Sequence, residues 1–359
     1  TFDSKTLLVV DEAGMVGTPA LRELLTAATA AGTKTVLVGD AEQLAPVKAR
    51  GGMFAQLCAD LPWAQKLSEV WRMRDPEERA ASLAIHDGTP ASLAHAVDWY
   101  RNQQRLHTGD PVTMADDAFT AWTTDHANNA DSLLIADRWE VADALNQRIH
   151  SHLLGDDAPT VAGARRHRIG VGDIIITRRN DPTIGVYPQG SREPAAEAPV
   201  RNGQRWKVTH IDTKTNRVRA VRIGDHARAV FSDDYLRRHV HHGYAITVHA
   251  AQGATAEHCH ALLSPDTGHR AGAYVAMTRG RATNTVYLYQ RLGGEGDHEH
   301  APQPAEGVHT PRRGDDEDAT QAWLGLLNRD NTAQTGTTTA ENPPERQLPP
   351  TVRGLVKHH

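Results

Sequence analysis

Two carboxylates, Asp11 and Glu12, end a short apolar run in "LLVVDEAGMV" (7–16). A strand that ends in acids delivers them to the edge of a sheet, where one can hold a hard cation and the other can polarise water. That is the chemistry of nucleoside triphosphate hydrolysis, with Asp11 on magnesium and Glu12 on the attacking water. A second run, "TVLVGD" (35–40), also ends in an acid, and "GDAEQLAPV" (39–47) puts Asp40 and Gln43 on the loop that follows it. An amide at that place can sense a terminal phosphate through hydrogen bonds. Far downstream, "TVHAAQGAT" (247–255) and "VAMTRGR" (275–281) complete the set, and an arginine of the second would neutralise a phosphoryl group in transfer.

The elements that must carry these residues read as strand, helix, strand. Residues 6–10 form a buried strand, Thr18-Pro19 starts a helix with Thr as N-cap, and Gly32 closes it before the buried strand at 35–40. This order favours a parallel sheet whose site lies at the carboxyl ends of the strands. A second α/β unit follows, with a short strand at 67–72, helical patterns at roughly 76–87, 113–126 and 139–154, and a buried strand at 132–138. From 166 to 240 the pattern changes to short alternating strands, "VGDIIITRRND", "GQRWKVTHID" and "NRVRAVRI", which is that of a small β-barrel. A barrel of that size can bury its own core, so it is expected not to be needed for the stability of the domain that holds it. After it the chain returns to α/β character. From 292 to 359 Gly, Asp, Glu, Pro, Thr and His dominate, predicting a mostly disordered tail with one short helix around "ATQAWLGLLNRD".

At 359 residues the chain is long enough for two or three domains. Cys58 and Cys259 cannot make a disulfide framework, which makes a reducing cytoplasm the default location, and no apolar run approaches membrane-spanning length. The net charge of −5 gives no overall basic field, so any nucleic-acid site must be a local groove. Candidate basic clusters are Arg165-Arg166-His167-Arg168 and Arg178-Arg179.

The ordered set "LLVVDEAGMV", "GDAEQLAPV", "LSEVWRMRDPEERAAS", "GYAITVHAAQGAT" and "YVAMTRGR" resembles the RecD-like branch of superfamily-one DNA helicases. More closely it resembles the helicase part of TraI/TrwC-type conjugative relaxases, over residues 1 to about 291. The segment "VGDIIITRRND…VRNGQRWKV" is similar to the SH3-like barrel inserted in the second motor domain of that branch. The resemblance implies an α/β fold of RecA-like motor domains: a partial first one at 1–66, a second at 67–165 and 241–291, and the barrel at 166–240. It implies ATP and magnesium as cofactors, single-stranded DNA as partner, and motor action in plasmid transfer. By position, Asp11 and Glu12 are its magnesium and water residues and Gln43, beside Asp40, its phosphate sensor. Arg72 and Arg279 reach ATP from the second motor domain, with Gln252, Gly253 and Arg281 on the nucleotide side. Thr247 and His249 couple the cleft to the DNA strand, and Arg178 and Arg179 line its channel. The family often has a basic residue after the motif histidine where this chain has Ala250, which takes a side-chain phosphate contact from that position.

A phosphate cradle, GxxxxGK[ST], needs glycines for close backbone approach and a lysine on the terminal phosphates. No Gly-Lys dipeptide occurs in the sequence, and "AAGTKT" (30–35) has the wrong spacing and leads into a strand. In the family the cradle and a relaxase region lie upstream, so they are expected before Thr1, and the chain alone is expected to be inactive. Two other readings use the same residues: a RecD-like repair helicase and a non-catalytic DNA-binding or docking module. The His–x–His pairs at 239–241 and 258–260 read as local structure rather than metal sites.

Overall fold

The structure is a computed structural model that describes residues 2–44, 46, 51–66, 72–195, 199–290 and 309–329. The described residues up to 66 form one body and those from 72 to 329 a second. Except for Arg72, the strand expected at 67–72 lies outside the described residues, as do 292–308 and 330–359 of the expected tail.

The first body pairs β1 (Leu7–Val10) with β2 (Lys34–Leu37) in parallel, joined through α1 (Thr18–Ala30) and followed by α2 (Met53–Asp60). Its core packs Ala13, Leu21 and Phe54 with Val10, Leu25, Leu37 and Leu57. Only one face of the sheet is covered. Leu7 and Val9 are 58% and 55% exposed, and Val36 and Val38 are exposed as well. The expectation of two fully buried strands is therefore corrected. A parallel strand is buried on both faces only when elements cover both, and among the described residues one side of this pair is open. The cap of α1 is also corrected: Gly17 holds that position, while the Thr18 hydroxyl donates to the Gly51 carbonyl at 2.8 Å.

The second body begins with α3 (Pro76–Asp87) and α4 (Pro90–Asn102). The sequence reading passed over α4, although Thr89 caps it. There follow β3 (Leu106–Gly109), α5 (Pro111–Ala127), β4 (Ser132–Ala136) and α6 (Trp139–Leu154). The chain then leaves the motor fold for β5 (Val161–Ala162), β6 (Arg168–Ile169), β7 (Ile174–Thr177), β8 (Arg205–Asp212), β9 (Arg217–Arg222), β10 (Arg228–Phe231), α7 (Asp233–His239) and β11 (Val240–His242). It returns through β12 (Ala245–Thr247), α8 (Val248–Ala251), β13 (Ala256–Leu263), α9 (Arg270–Ala276) and β14 (Gly280–Tyr289), and ends with α10 (Asp316–Leu327).

Strands β12, β4, β13, β14 and β3 lie in that order in one parallel sheet. Here the reading of a buried strand holds, because all five residues of β4 are buried. The inserted sheet has the order β10-β9-β8-β7-β11, antiparallel throughout, around Trp206, Val208, Phe231, Ile175 and Leu236. Residues 309–329 fold onto the motor sheet. Asp110 N–H donates to the Arg312 carbonyl at 3.1 Å, a capping box at Asp315 and Asp318 starts α10, and Trp323, Leu326 and Leu327 are buried.

The barrel is joined to the motor fold through buried polar contacts. Asp173, just before β7, is fully buried and takes hydrogen bonds from His150 of α6 (2.8 Å), Gly170 N–H (2.7 Å) and the Tyr244 hydroxyl (2.8 Å). Burial alone would raise its pKa, but the hydrogen bonds from His150 and His242 outweigh that and hold it well below the usual carboxylate range. Arg205 of β8 donates from Nη1 to both Asp131 carboxylate oxygens at 2.9 and 3.2 Å and from Nε to the Gly243 carbonyl at 3.1 Å. The expectation that the barrel stands apart from the stability of its host is thus corrected: its own core is complete, but its charges are shared. Removing one partner of a buried charged network leaves the others desolvated, so Asp173→Ala should cost about 3–5 kcal/mol. Urea unfolding followed by far-ultraviolet circular dichroism checks this, and a loss below about 1 kcal/mol, the net value of a single hydrogen bond, contradicts it.

Candidate nucleotide and nucleic-acid site

In the first body, both acid-bearing loops leave the carboxyl ends of β1 and β2. Ala13 N–H donates to the Val38 carbonyl and Val38 N–H to the Val10 carbonyl, both at 2.8 Å, which fixes one loop on the other. Glu12 sits in the left-handed region (φ 52°), unusual for a residue with a side chain, and its N–H donates to Asp11 Oδ1 at 2.9 Å. Asp11 keeps Oδ2 without a protein partner among the described residues, and both acids are exposed. Asp40 and Gln43 come together, Nε2 to Oδ2 at 3.1 Å. The close approach requires glycine: a Cβ on Gly14 would stand 2.8 Å from the Asp40 carbonyl oxygen. Gly14→Ala should part the loops and cost roughly 1–3 kcal/mol. Hydrogen exchange should then quicken at 11–15 and 38–43 and stay unchanged in the second body; unchanged exchange at the loops contradicts the account.

In the second body, Arg72 and Arg279 converge on Thr278. Arg72 Nη1 donates to its carbonyl at 2.8 Å, and Arg279 Nη2 to its hydroxyl at 2.7 Å. Arg279 is only 2% exposed and also donates from Nε to the Val275 carbonyl. Arg281 is exposed, and its carbonyl receives Arg74 N–H. The Arg74 side chain is paired with Glu257. Thr247 ends β12 and caps α8, its hydroxyl accepting Ala250 N–H, with His249 exposed on that helix and Gln252 and Gly253 just after it. Gly253 has φ +78°, which suits glycine.

Arg178 and Arg179 do not act as a pair. Arg179 is exposed, with Nη1 3.4 Å from His239 Nε2, whereas Arg178 lines a cavity of about 120 Å³ at the carboxyl ends of β4 and β12. Trp139, Asp143, Arg165, His241 and Thr247 line it too. The sequence reading missed Trp139. Its position right after a parallel strand, on the edge where such sheets bind ligands, was the available signal. The basic cluster at 165–168 is partly structural: Arg165 pairs with Asp143 at 2.8 Å and His167 accepts His242 N–H at 2.8 Å. Of the His–x–His residues, His258 meets the Thr283 hydroxyl at 2.7 Å and His260 meets Asp125 at 2.7 Å.

Around this cavity two imidazoles, His167 and His241, are kept neutral. Burial, then the neighbouring His242, lowers the His167 pKa to about 4, and burial, then His167 and Arg178, lowers that of His241 to about 4. Unfolding returns both to the ordinary value near 6.5, so the unfolded chain binds more protons in the interval. The contribution of these histidines is therefore complete above about pH 6.5 and is lost as pH falls towards 4. Asp173, with its lowered pKa, begins to lose its own contribution only below the ordinary carboxylate value of 3.8. Thermal unfolding from pH 7.5 to 4.5 should show this decline, flattened in a His167→Gln, His241→Gln variant; an equal slope in both proteins contradicts it.

Comparison with known proteins agrees with this architecture. Residues 161–241 match the family of the Rv2311 SH3-like barrel domain, and residues 1–111 match an AAA domain family. The uncharacterized protein Rv2311 of Mycobacterium tuberculosis (strain ATCC 25618 / H37Rv) is 57% identical over 122 residues, 34% of this chain and 69% of that protein. The probable conjugal transfer protein TraA of Sinorhizobium fredii (strain NBRC 101917 / NGR234) is 32% identical over 81% of this chain. The conjugal transfer protein TraA of Agrobacterium fabrum (strain C58 / ATCC 33970) is 31% identical over 80% of it. The chain spans only 25% of the length of either TraA protein. Among solved structures, the Pif1 helicase from Bacteroides shares the fold, with a TM-score of 0.50 and 15% identity over 78% of this chain and 70% of that one. With its RecA-like sheets and inserted SH3-like barrel, the chain belongs to the family of Rv2311, and over 81% of its length it is similar to a part of the TraA conjugal transfer proteins.

Proposed function

We propose that this chain is part of an ATP-dependent single-stranded-DNA translocase and helicase in a conjugative relaxase, working in the cytoplasm on plasmid DNA. The observation that supports the reading is the close approach of the two acid-bearing loops, one with Asp11 and Glu12 and the other with Asp40 and Gln43, through the Ala13–Val38 hydrogen bond and the tight packing of Gly14 on the Asp40 carbonyl. Support for single-stranded DNA comes from the Bacteroides Pif1 relative, whose structure is a complex with ADP-AlF3 and single-stranded DNA.

The residues present fit one half of a nucleotide site. Asp11 offers an exposed carboxylate oxygen suited to a hard cation such as magnesium, which when bound would offset charge on the phosphates. Glu12 would accept the proton of the attacking water, and the Gln43 amide would hydrogen-bond the terminal phosphate. Arg72 and Arg279 would neutralise charge on the phosphates, and Gln252, Gly253 and Arg281 would serve the nucleotide. Arg279 can do so only by giving up its bonds to Val275 and Thr278. Thr247, His249, Arg178 and Arg179 would face the DNA strand. The other half does not fit: the sequence holds no GxxxxGK[ST], so ATP requires a cradle from another segment of a longer protein, where a relaxase region and the conjugation machinery would also come in.

The 359-residue chain should bind single-stranded DNA but show no DNA-stimulated ATP hydrolysis above background. In a longer protein with GxxxxGK[ST] ahead of β1, hydrolysis should appear, and Arg279→Ala should lower turnover by roughly a thousandfold or more. Nucleotide and DNA affinity should change little. Turnover by the chain alone contradicts the borrowed cradle, and turnover within a fewfold of the parent contradicts the role of Arg279.

A further inference from the structure

The cavity beside Thr247 holds a cation that nothing among the described residues neutralises. Arg178 is half-buried at its wall and has no carboxylate or hydrogen-bond partner among the described residues. Burial lowers its pKa, yet a guanidinium stays protonated, so this is a desolvated positive charge. The one acid in the lining, Asp143, is already taken by Arg165 at 2.8 Å. A group of opposite charge and small size would settle the balance, and a phosphate does so with two acceptor oxygens. The Thr247 hydroxyl lies in the same lining. Its oxygen accepts Ala250 N–H, which leaves its proton to donate, and Ala250 has no long side chain to fill the space.

A second feature points to the rest of the ligand. Trp139, in the first turn of α6, is 51% exposed although the Arg165 guanidinium lies 3.6 Å from the centre of its ring. One face of the indole is therefore covered by a cation held in place by Asp143, and the other is open. An aromatic surface beside an unpaired guanidinium is the arrangement that takes a base and its phosphate with little regard to sequence. His241, kept neutral as described, adds a hydrogen-bonding edge and no further charge.

We propose that this cavity is a one-nucleotide subsite for single-stranded DNA, its phosphate held by Arg178 and the Thr247 hydroxyl and its base stacked on the open face of Trp139. The proposal rests on the single-stranded-DNA reading above and adds to it an aromatic contact from the motor fold and a phosphate contact from the barrel. One nucleotide would thus bridge the two.

The test is anisotropy of fluorescein-labelled dT12 with the full chain across a salt series. Trp139→Ala should weaken binding by about tenfold at an unchanged salt slope, and Trp139→Phe should recover most of it. Arg178→Gln should weaken binding and reduce the slope by about one. A dT12 carrying 5-iodouracil should, on irradiation, crosslink the unmodified chain at Trp139, which keeps the test independent of how the variants fold. Binding of Trp139→Ala within twofold of the parent, with no adduct at Trp139, overturns the subsite while leaving the DNA reading in place. Failure of the parent to bind dT12 overturns both. Displacement of dT12 by equimolar dTMP would assign the cavity to free nucleotides and also overturn it.

Discussion

One buried carboxylate ties the inserted barrel to the motor fold. Asp173 stands just before β7 of the barrel, yet its partners include His150 on a motor helix and Tyr244 on the segment that re-enters the motor sheet. Tyr244 in turn accepts Ile174 N–H at 3.0 Å, and burial, then Asp173, pushes its phenol pKa up. A charge placed this deep is tolerated only while every donor stays aimed at it. The barrel therefore cannot tilt relative to α6 and β12 without stranding a carboxylate, which makes the insertion and its host one mechanical piece.

That rigidity bears on the cavity at the carboxyl ends of β4 and β12. Asn146 on α6 takes both Tyr244 N–H (3.2 Å) and Ala245 N–H (2.9 Å) and donates to the Ala245 carbonyl at 2.8 Å, so helix and strand are fixed in register. Trp139 and Asp143 lie about two turns and one turn ahead of Asn146 on the same helix. Arg178 and His241 come from the barrel side of the network, and Thr247 follows Ala245 by two residues. Side chains from three separate stretches of sequence keep their spacing because the polar contacts beneath them leave no slack.

Much of this could be read in the residues. The ordered motifs identified the helicase architecture, and the alternation after residue 166 marked the barrel. Misreadings have physical causes. "LLVV" and "SLLIA" are equally apolar, yet only the second is buried on both faces, because coverage depends on neighbours that periodicity does not reveal. The strand "LHTG" is only four residues long and ends in glycine, which is depleted in strands, and it was passed over. Arg279 is buried with its bonds to the Val275 carbonyl and the Thr278 hydroxyl, and the lack of a partner for Arg178 among the described residues follows from tertiary placement. A basic dipeptide looks the same whether its two side chains share a surface or, as here, diverge.

The central claim is that barrel and motor fold present one surface to a DNA strand, and hydrogen exchange with and without dT12 tests it most directly. The account predicts simultaneous protection at the end of β7 and the following arginines, in the first turn of α6, and across β12 and α8. Protection in the barrel alone, in the motor fold alone, or in neither would contradict it.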